Sequence, residues 1–543
     1  MNPFPRTTRS LGAGLSALAL AAGSSALPAS AGGTEQTFEL TIKHLDRSGA
    51  VTGNYLDTLL DRYAASPDLV QLNEPDGTSR VRLPKGSYLL ETTIGVGKDA
   101  PEHNFLVTPK LELTADLTLT IDARQAQPVR ISVPEPSARR VFTSVDYTLT
   151  TTAQPYSSNV IGDGDTKLYT AQLGPSPAGF SGRINSEWAK PSAAGTTPFQ
   201  ATPYIYSVVQ DRPGSFFTGF DKAVRPTELA TVRPTLVAQG KGTGASYGVM
   251  PATPVLEGGH GMTYWYPNLP ATPTVHVTAV GATWSASTAF RDAEQAEAPS
   301  NQNGTATSYQ AGRSYSETFG GAVLGPAFPA PPYADSPFAY REGDVMSLLP
   351  VIGDSAGHSG AAATGPGTLS VTRDGSSLAE VAYEPGNPPA LVTVPAASGR
   401  YRVDLATNGT GVLGTSTAVR TSWAFRSART TKRVALPLWA VRFAPPVDDH
   451  NTLRSGPTHA LPIVVEAQRD AAVGKLTTLT VQTSTDDGKT WQDAPVTASA
   501  AGKYTAVVSV PVDASSVSLR TRAADSLGNT VDETITRAYK VTR

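Results

Sequence analysis

From Thr37 onward, apolar and polar residues trade places at every second position in short stretches, each closed by turn-forming residues. A period of two sends alternate side chains to opposite faces of a pleated strand, so such a chain folds into half-buried sheets rather than helices. The pattern is plain in Thr37-Phe38-Glu39-Leu40-Thr41-Ile42, in Leu117-Thr118-Leu119-Thr120-Ile121-Asp122 and in Val141-Phe142-Thr143-Ser144-Val145-Asp146-Tyr147-Thr148-Leu149. It returns after residue 470, over residues 476–481, 504–510 and 517–523. Gly (49) and Pro (44) are abundant in the 543 residues, which multiplies turns and shortens elements. The expected fold class is therefore all-β, built as tandem β-sandwich modules, and the length suits about three or four of them. One stretch breaks the pattern: residues 55–65 (YLDTLLDRYAA) space their leucines as a short helix would.

Composition excludes several chemistries. There is no Cys, so thiol nucleophiles, Cys-ligated zinc, iron–sulfur clusters and disulfide staples are ruled out. Lys plus Arg (44) and Asp plus Glu (46) leave a net charge of −2, without the basic excess that bulk nucleic-acid binding needs. Residues 1–31 read as a secretory signal: Arg6 and Arg9, a short apolar run over 11–22, and the cleavage site Ala29-Ser30-Ala31. No later run is long enough to span a bilayer, and the tail Tyr539-Lys540-Val541-Thr542-Arg543 is not apolar, so a secreted, extracellular product with no membrane partner is expected.

The expected modules after the signal are 32–136, 137–275, 276–445 and 446–543. In the first, Pro84-Lys85-Gly86 is expected to turn with a positive φ at Gly86 before Tyr88 starts a strand. This Leu-Pro-x-Gly-x-Tyr pattern resembles the turn of small transthyretin-like β-sandwiches. Pro134-Glu135-Pro136 reads as a linker, and residues 137–275 and 276–445 as β-rich modules, the second with long loops. The strand spacing of 446–543 fits an immunoglobulin-like or fibronectin-like sandwich.

Few side chains stand out as chemistry. Ser484-x-Asp486-x-Gly488-x-Thr490-Trp491 resembles the Asp-box hairpin of sialidase propellers, but it occurs once and no propeller period accompanies it, so it reads as a structural hairpin with its Trp packed beneath. Gly353-Asp354-Ser355-Ala356-Gly357 resembles the nucleophile loop of chymotrypsin-like proteases and makes Ser355 the candidate nucleophile. Such a serine needs a base His and an orienting Asp. His260 and His276 lie upstream but lack that family's context, and His358 reads as a loop residue. Gly414-Thr415-Ser416 resembles the subtilisin Gly-Thr-Ser, yet the following residues alternate as a strand where that family opens a helix. Asp163 and Asp165 could give oxygens to calcium, which wants six to eight, or simply form a polar turn. Asp448-Asp449-His450 is similarly acidic and reads as solvated linker. Tyr264, Trp265 and Tyr266 could stack a sugar, with strand and core packing as the alternative.

A series of short segments, taken in order, resembles one thing in particular. It includes Thr41-Ile42-Lys43-His44-Leu45-Asp46-Arg47, Leu349-Pro350-Val351-Ile352-Gly353-Asp354-Ser355-Ala356-Gly357-His358, Ser422-Trp423-Ala424-Phe425-Arg426-Ser427 and Ala524-Asp525-Ser526-Leu527-Gly528-Asn529-Thr530. Together they resemble the non-catalytic C-terminal accessory region of large secreted subtilisin-like serine peptidases of actinobacteria. The peptidase domain has no counterpart in this chain, and no catalytic residue matches a position of it. The resemblance implies a secreted, β-rich, multi-module protein without the peptidase. The leading expectation is a non-enzymatic protein that binds or scaffolds outside the cell, with an extracellular protein, a peptidase or a cell-wall polymer as partner, and no cofactor beyond the calcium weighed at Asp163 and Asp165. The alternative from another class is an extracellular hydrolase, peptidase-like or glycan-acting, with its site in residues 137–443.

Overall fold

The computed structural model describes residues 36–61, 69–95, 101–150, 155–193, 197–240, 242–292, 300–328, 338–360, 366–383, 388–408, 414–500 and 502–543. The expected signal segment, 1–31, lies outside them. The described chain is all-β and arranged as tandem β-sandwich modules. Among the described residues, two single 3-10 turns, Ala123–Gln125 and Pro226–Glu228, interrupt the strands, and no helix is long and apolar enough to cross a membrane. The fold divides into two compact units: Met1–Ile131, Ser144–Arg183 and Arg212–Lys222 form one, and Ser132–Thr143, Ile184–Asp211 and Ala223–Arg543 the other.

In the first unit a three-stranded sheet runs in the order Thr78–Pro84, Thr37–Leu45, Leu117–Asp122. A larger sheet contains Lys167–Gln172, Glu102–Leu113, Gly86–Ile94, Tyr55–Leu60 and Leu69–Leu72 as successive neighbours. One core joins them: Leu40, Ile42 and Leu83 of the small sheet cluster with Tyr55, Leu59, Leu90, Ile94 and Leu106 of the large one. Lys85 is the corner where the chain leaves one sheet for the other. Its N–H donates to the Gln36 carbonyl at 2.8 Å, and the Tyr88 hydroxyl reaches back to the Pro84 carbonyl at 2.7 Å. Gly86 does not take the expected positive φ. The chain bends through the corner rather than reversing, and the small residue lets the Tyr88 ring lie against it, where a Cβ would come within 3.4 Å.

The short helix expected over 55–65 is instead the strand Tyr55–Leu60, paired with Gly86–Ile94 on one side and Leu69–Leu72 on the other. Five of its six residues are buried, so leucines on both faces are satisfied without a helical stripe. Asp57 on this strand is fully buried and accepts from His44, Ser79 and Thr92. His44 stacks on Tyr55 at 3.5 Å between centroids, and its other nitrogen meets the Gly77 carbonyl.

In the second unit, Tyr204–Pro213, Thr274–Thr278, Leu229–Leu236 and Ser314–Phe319 are neighbours in one sheet, while Tyr264–Tyr266, Thr243–Ala252, Thr283–Asp292 and Ser300–Asn303 follow one another in a second. Val232, Val275 and Phe319 of the first share a core with Tyr247, Trp284 and Phe290 of the second. Farther along, Thr530–Thr542 lies between Ala418–Ser427 and Ser516–Asp525 in a nine-stranded sheet. Strands from before and after residue 446 thus share one ladder. The Trp423 indole donates to the Trp439 carbonyl at 2.7 Å, and the Trp439 indole to Asp525 at 3.2 Å, which satisfies both ring N–H groups in the core between this sheet and the strand Trp439–Phe443.

Candidate functional site

The Gly-Asp-Ser-Ala-Gly loop closes on itself. Asp354 is fully buried; one carboxylate oxygen accepts from the Ala356 and His358 N–H groups at 3.0 Å, and the other from Gly320 N–H at 3.1 Å and His358 Nδ1 at 2.9 Å. His358 Nε2 meets Glu317 at 3.1 Å, and the imidazole stacks on Phe319 with centroids 4.0 Å apart. Both ring nitrogens therefore face carboxylates, which only accept, so the ring is held as an imidazolium. Burial alone would lower its pKa; the hydrogen bonds and charges of Asp354 and Glu317 outweigh that and raise it to about 9.

Ser355 takes no part in this triplet. Its N–H donates to the Gly321 carbonyl at 3.0 Å, its carbonyl accepts from Arg442 at 2.8 Å, and its Oγ rests against Gly321, where an added Cβ would lie 2.6 Å away. The two upstream histidines are engaged elsewhere: His276 stacks on Tyr206 and bonds Thr231, and His260 sits edge-on to Phe142. Ser416 is buried with its Oγ accepting from Leu324 N–H at 2.9 Å. The structure thus brings together Asp354 and His358, but with Glu317 rather than a serine.

Tyr264, Trp265 and Tyr266 do not form an exposed aromatic strip. Strand alternation sends Tyr264 and Tyr266 into the core and leaves Trp265 half-buried on the outer face, lying over Gly244. The Tyr264 hydroxyl donates to Glu187 at 2.9 Å, and the Tyr266 hydroxyl to the Thr202 carbonyl at 3.0 Å. Glu187 is fully buried and also accepts from Met262 N–H at 3.0 Å. Burial raises its pKa to about 8 against those two hydrogen bonds.

The Asp-box folds as its sequence implies. Asp486 accepts from Ser484 Oγ, Thr490 Oγ1 and the N–H groups of Lys489 and Thr490. The Thr490 hydroxyl leads the bonds that hold its carboxyl well below the usual range. Asp487 and Gly488 take positive φ of 60° and 87°. Trp491 is partly buried: it packs against Gly488, where an added Cβ would lie 3.2 Å from the ring, its indole N–H donates to the Gly488 carbonyl at 3.0 Å, and Arg520 covers one face at 4.4 Å.

Asp163 and Asp165 are exposed in the turn after Tyr156–Asp163, where Asp163 accepts from Thr166. Among the described residues, the one group of three potential ligands within 4.8 Å is the exposed Asp448, Asp449 and His450, and Asp448 is already closing a turn through the His450 and Thr452 N–H groups.

Sequence reading missed Glu317, partly buried, and Glu187, fully buried. Glu317 occupies the inward phase of Ser314–Phe319, between Tyr315 and Phe319, and a carboxylate in an apolar phase was the signal for it. Glu187 lies in Phe180–Ala189, buried on both faces, where alternation gives no such signal.

No family model matches the chain, and no curated protein does. Solved structures overlap it loosely. The Bacillus anthracis TIE protein aligns over 52% of this chain and 50% of its own, at 9% identity and a TM-score of 0.13. The Streptococcal ancillary pilin aligns over 52% and 99% at 10% identity and 0.12. Trypsin-activated alpha-2-macroglobulin from Escherichia coli aligns over 92% and 38% at 9% identity and 0.16. This chain spans half the length of the first of these.

Two outcomes follow from the geometry. Trp491→Ala, removing a half-exposed ring, is expected to cost about 1–2 kcal/mol rather than the 3–5 of a core Trp, read from denaturant unfolding. For Glu187 the folded pKa exceeds the unfolded one, so the stability it allows is complete below pH 4.5 and falls as pH rises towards about 8. Glu187→Gln is expected to flatten that decline, by up to about 1.4 kcal/mol per pH unit, in melts between pH 5 and 8.

Proposed function

We propose that the chain is a non-enzymatic extracellular β-protein that works by binding or scaffolding, a multi-module relative of peptidase accessory regions without the peptidase. One observation carries the reading: His358 is locked between Asp354 and Glu317. A general base must offer a nitrogen lone pair to the nucleophile's proton. An imidazolium donating to two carboxylates has none to offer, so the loop that most resembles a catalytic one serves as a buried clasp. The clasp ties the loop to the strand Ser314–Phe319 through Glu317 and to Gly320 through Asp354, within a continuous core that suits a rigid scaffold. An extracellular protein, a peptidase or a cell-wall polymer is the partner class, reached after secretion on the signal read in residues 1–31.

A fluorophosphonate probe applied to the purified protein tests this. No labelling is expected, and none in Ser355→Ala. Labelling of the wild type that disappears in Ser355→Ala would make Ser355 a nucleophile and end the non-enzymatic reading.

A further inference from the structure

The outer face of the nine-stranded sheet carries an unusual set of charges. Along its four middle strands, Gly399–Asn408, Ala418–Ser427, Thr530–Thr542 and Ser516–Asp525, buried Val403, Trp423, Val531 and Ala523 point inward. The opposite phase presents Arg400, Arg402, Arg420, Arg426, Arg520 and Arg522, all exposed. Asp404 and Asp532 are the acids in that phase on these four strands, and Glu380 and Asp493 share the face on the flanking strands, leaving two positive charges in excess on a chain whose net charge is −2.

Three of these arginines are not explained by the fold. Arg402 pairs with Asp404 and Arg522 with Asp532, and Arg520 bonds Gln482 over the Trp491 ring. The guanidinium groups of Arg400, Arg420 and Arg426 have no partner among the described residues. Arg400 and Arg426 are moreover directly opposite each other across the strand pair, where like charges repel and destabilise the ladder. Asp374 already accepts from the Arg400 N–H at 2.9 Å, and the two facing cations offer a further place for a countercharge from outside the chain.

The spacing describes that countercharge. Arg420 and Arg426 are six residues apart, about 20 Å along the strand, and Arg400 faces Arg426 one strand spacing, about 5 Å, away. One small anion does not reach them all, so the ligand is extended. It is also sparsely charged. Duplex DNA carries a charge about every 1.7 Å, and a run that dense would meet Asp404 and Asp532 inside the face. Hydroxyls lie beside the arginines: Thr372 is opposite Arg402 on the flanking strand, and Thr534 stands between Arg420 and Arg520. Hydroxyls and carboxylates suit sugar rings, and the guanidinium fork suits a carboxylate.

We propose that this sheet face, through Arg400, Arg420 and Arg426, docks a linear polysaccharide bearing carboxylates, a uronic-acid polymer. The proposal rests on the binding reading above and gives it a partner chemistry. Because the three arginines make no contacts that hold the fold, replacing them leaves the sheet intact and relieves the Arg400–Arg426 repulsion.

The test uses the full-length protein and polygalacturonate in affinity electrophoresis, with neutral galactan and polyphosphate as comparison polymers. The Arg400→Gln/Arg420→Gln/Arg426→Gln variant is set against Arg130→Gln/Arg225→Gln/Arg469→Gln, which removes the same charge elsewhere. The expected result is retardation of the wild type by polygalacturonate, weakened about tenfold in the first variant and less than about twofold in the second, with higher salt weakening it further. The first variant should melt no lower than the wild type. Absence of retardation, equal retardation of both variants, or stronger retardation by galactan or polyphosphate would overturn the proposal. The fluorophosphonate result stands apart from all of these, so the non-enzymatic reading and the polymer proposal fail independently.

Discussion

The strand Thr530–Thr542 is the element on which most of the C-terminal half depends. It lies between Ala418–Ser427 and Ser516–Asp525 and takes a further short strand, Thr452–Arg454, at its far end. A strand inside a sheet has both rows of backbone N–H and C=O groups paired, and removing it would orphan those of each neighbour. Its side chains serve the same end: Val531, Ile535, Ala538 and Tyr539 are buried in the common core. The final residues of the chain therefore complete a ladder begun more than a hundred residues earlier. Strands on either side of residue 446 are bound by hydrogen bonds as well as by apolar contact.

In each unit, some buried polar groups come as hydrogen-bonded sets. Asp57 gathers His44, Ser79 and Thr92; Asp354 and Glu317 gather His358; Arg341 spends its donors on Gly343, Pro395, Tyr401 and Ser427. A buried charge without such partners would be strongly destabilising, so each set fixes a loop or strand to one position. Burial raises the pKa of Glu91, Glu187 and Glu533, and the last two lie fully inside the protein. With His358, Glu187 and Glu533 make the fold weaken as pH rises, while Asp486 and Asp525, held below their normal range, make it weaken as pH falls. His358, Glu187 and Glu533 have folded pKa values above their unfolded ones and lose their contribution as pH rises through them.

The sequence carried the strands because alternation is local: Arg139–Leu149, Leu476–Ser484, Lys503–Val510 and Ser516–Asp525 lie where the period of two puts them. It did not carry their partners. Lys167–Gln172 pairs in parallel with Glu102–Leu113, and Thr274–Thr278 with Tyr204–Pro213, across separations that no window of residues encodes. Residues 55–60 misled because leucines buried on both faces mimic a helical stripe. The Asp-box was legible to its hydrogen bonds, since all its members lie within eight residues, but not the exposure of Trp491, which Arg520 decides from another strand. The candidate site shows the same division. Asp354 and His358 are four residues apart and visible as a motif, whereas the acid that completes them, Glu317, is 41 residues away from the histidine. The aromatic triplet was visible as a cluster, yet its alternation already placed the outer two rings on the face opposite Trp265.

The locked state of His358 is tested most directly by its imidazole nitrogen chemical shifts, measured by NMR across pH 6 to 10 in the intact protein. Two protonated ring nitrogens at pH 7.5, with titration near pH 9, is the result that the clasp between Asp354 and Glu317 requires. A neutral imidazole at pH 7.5, with one nitrogen free to accept a proton, would contradict it and return the loop around Ser355 to the list of working sites.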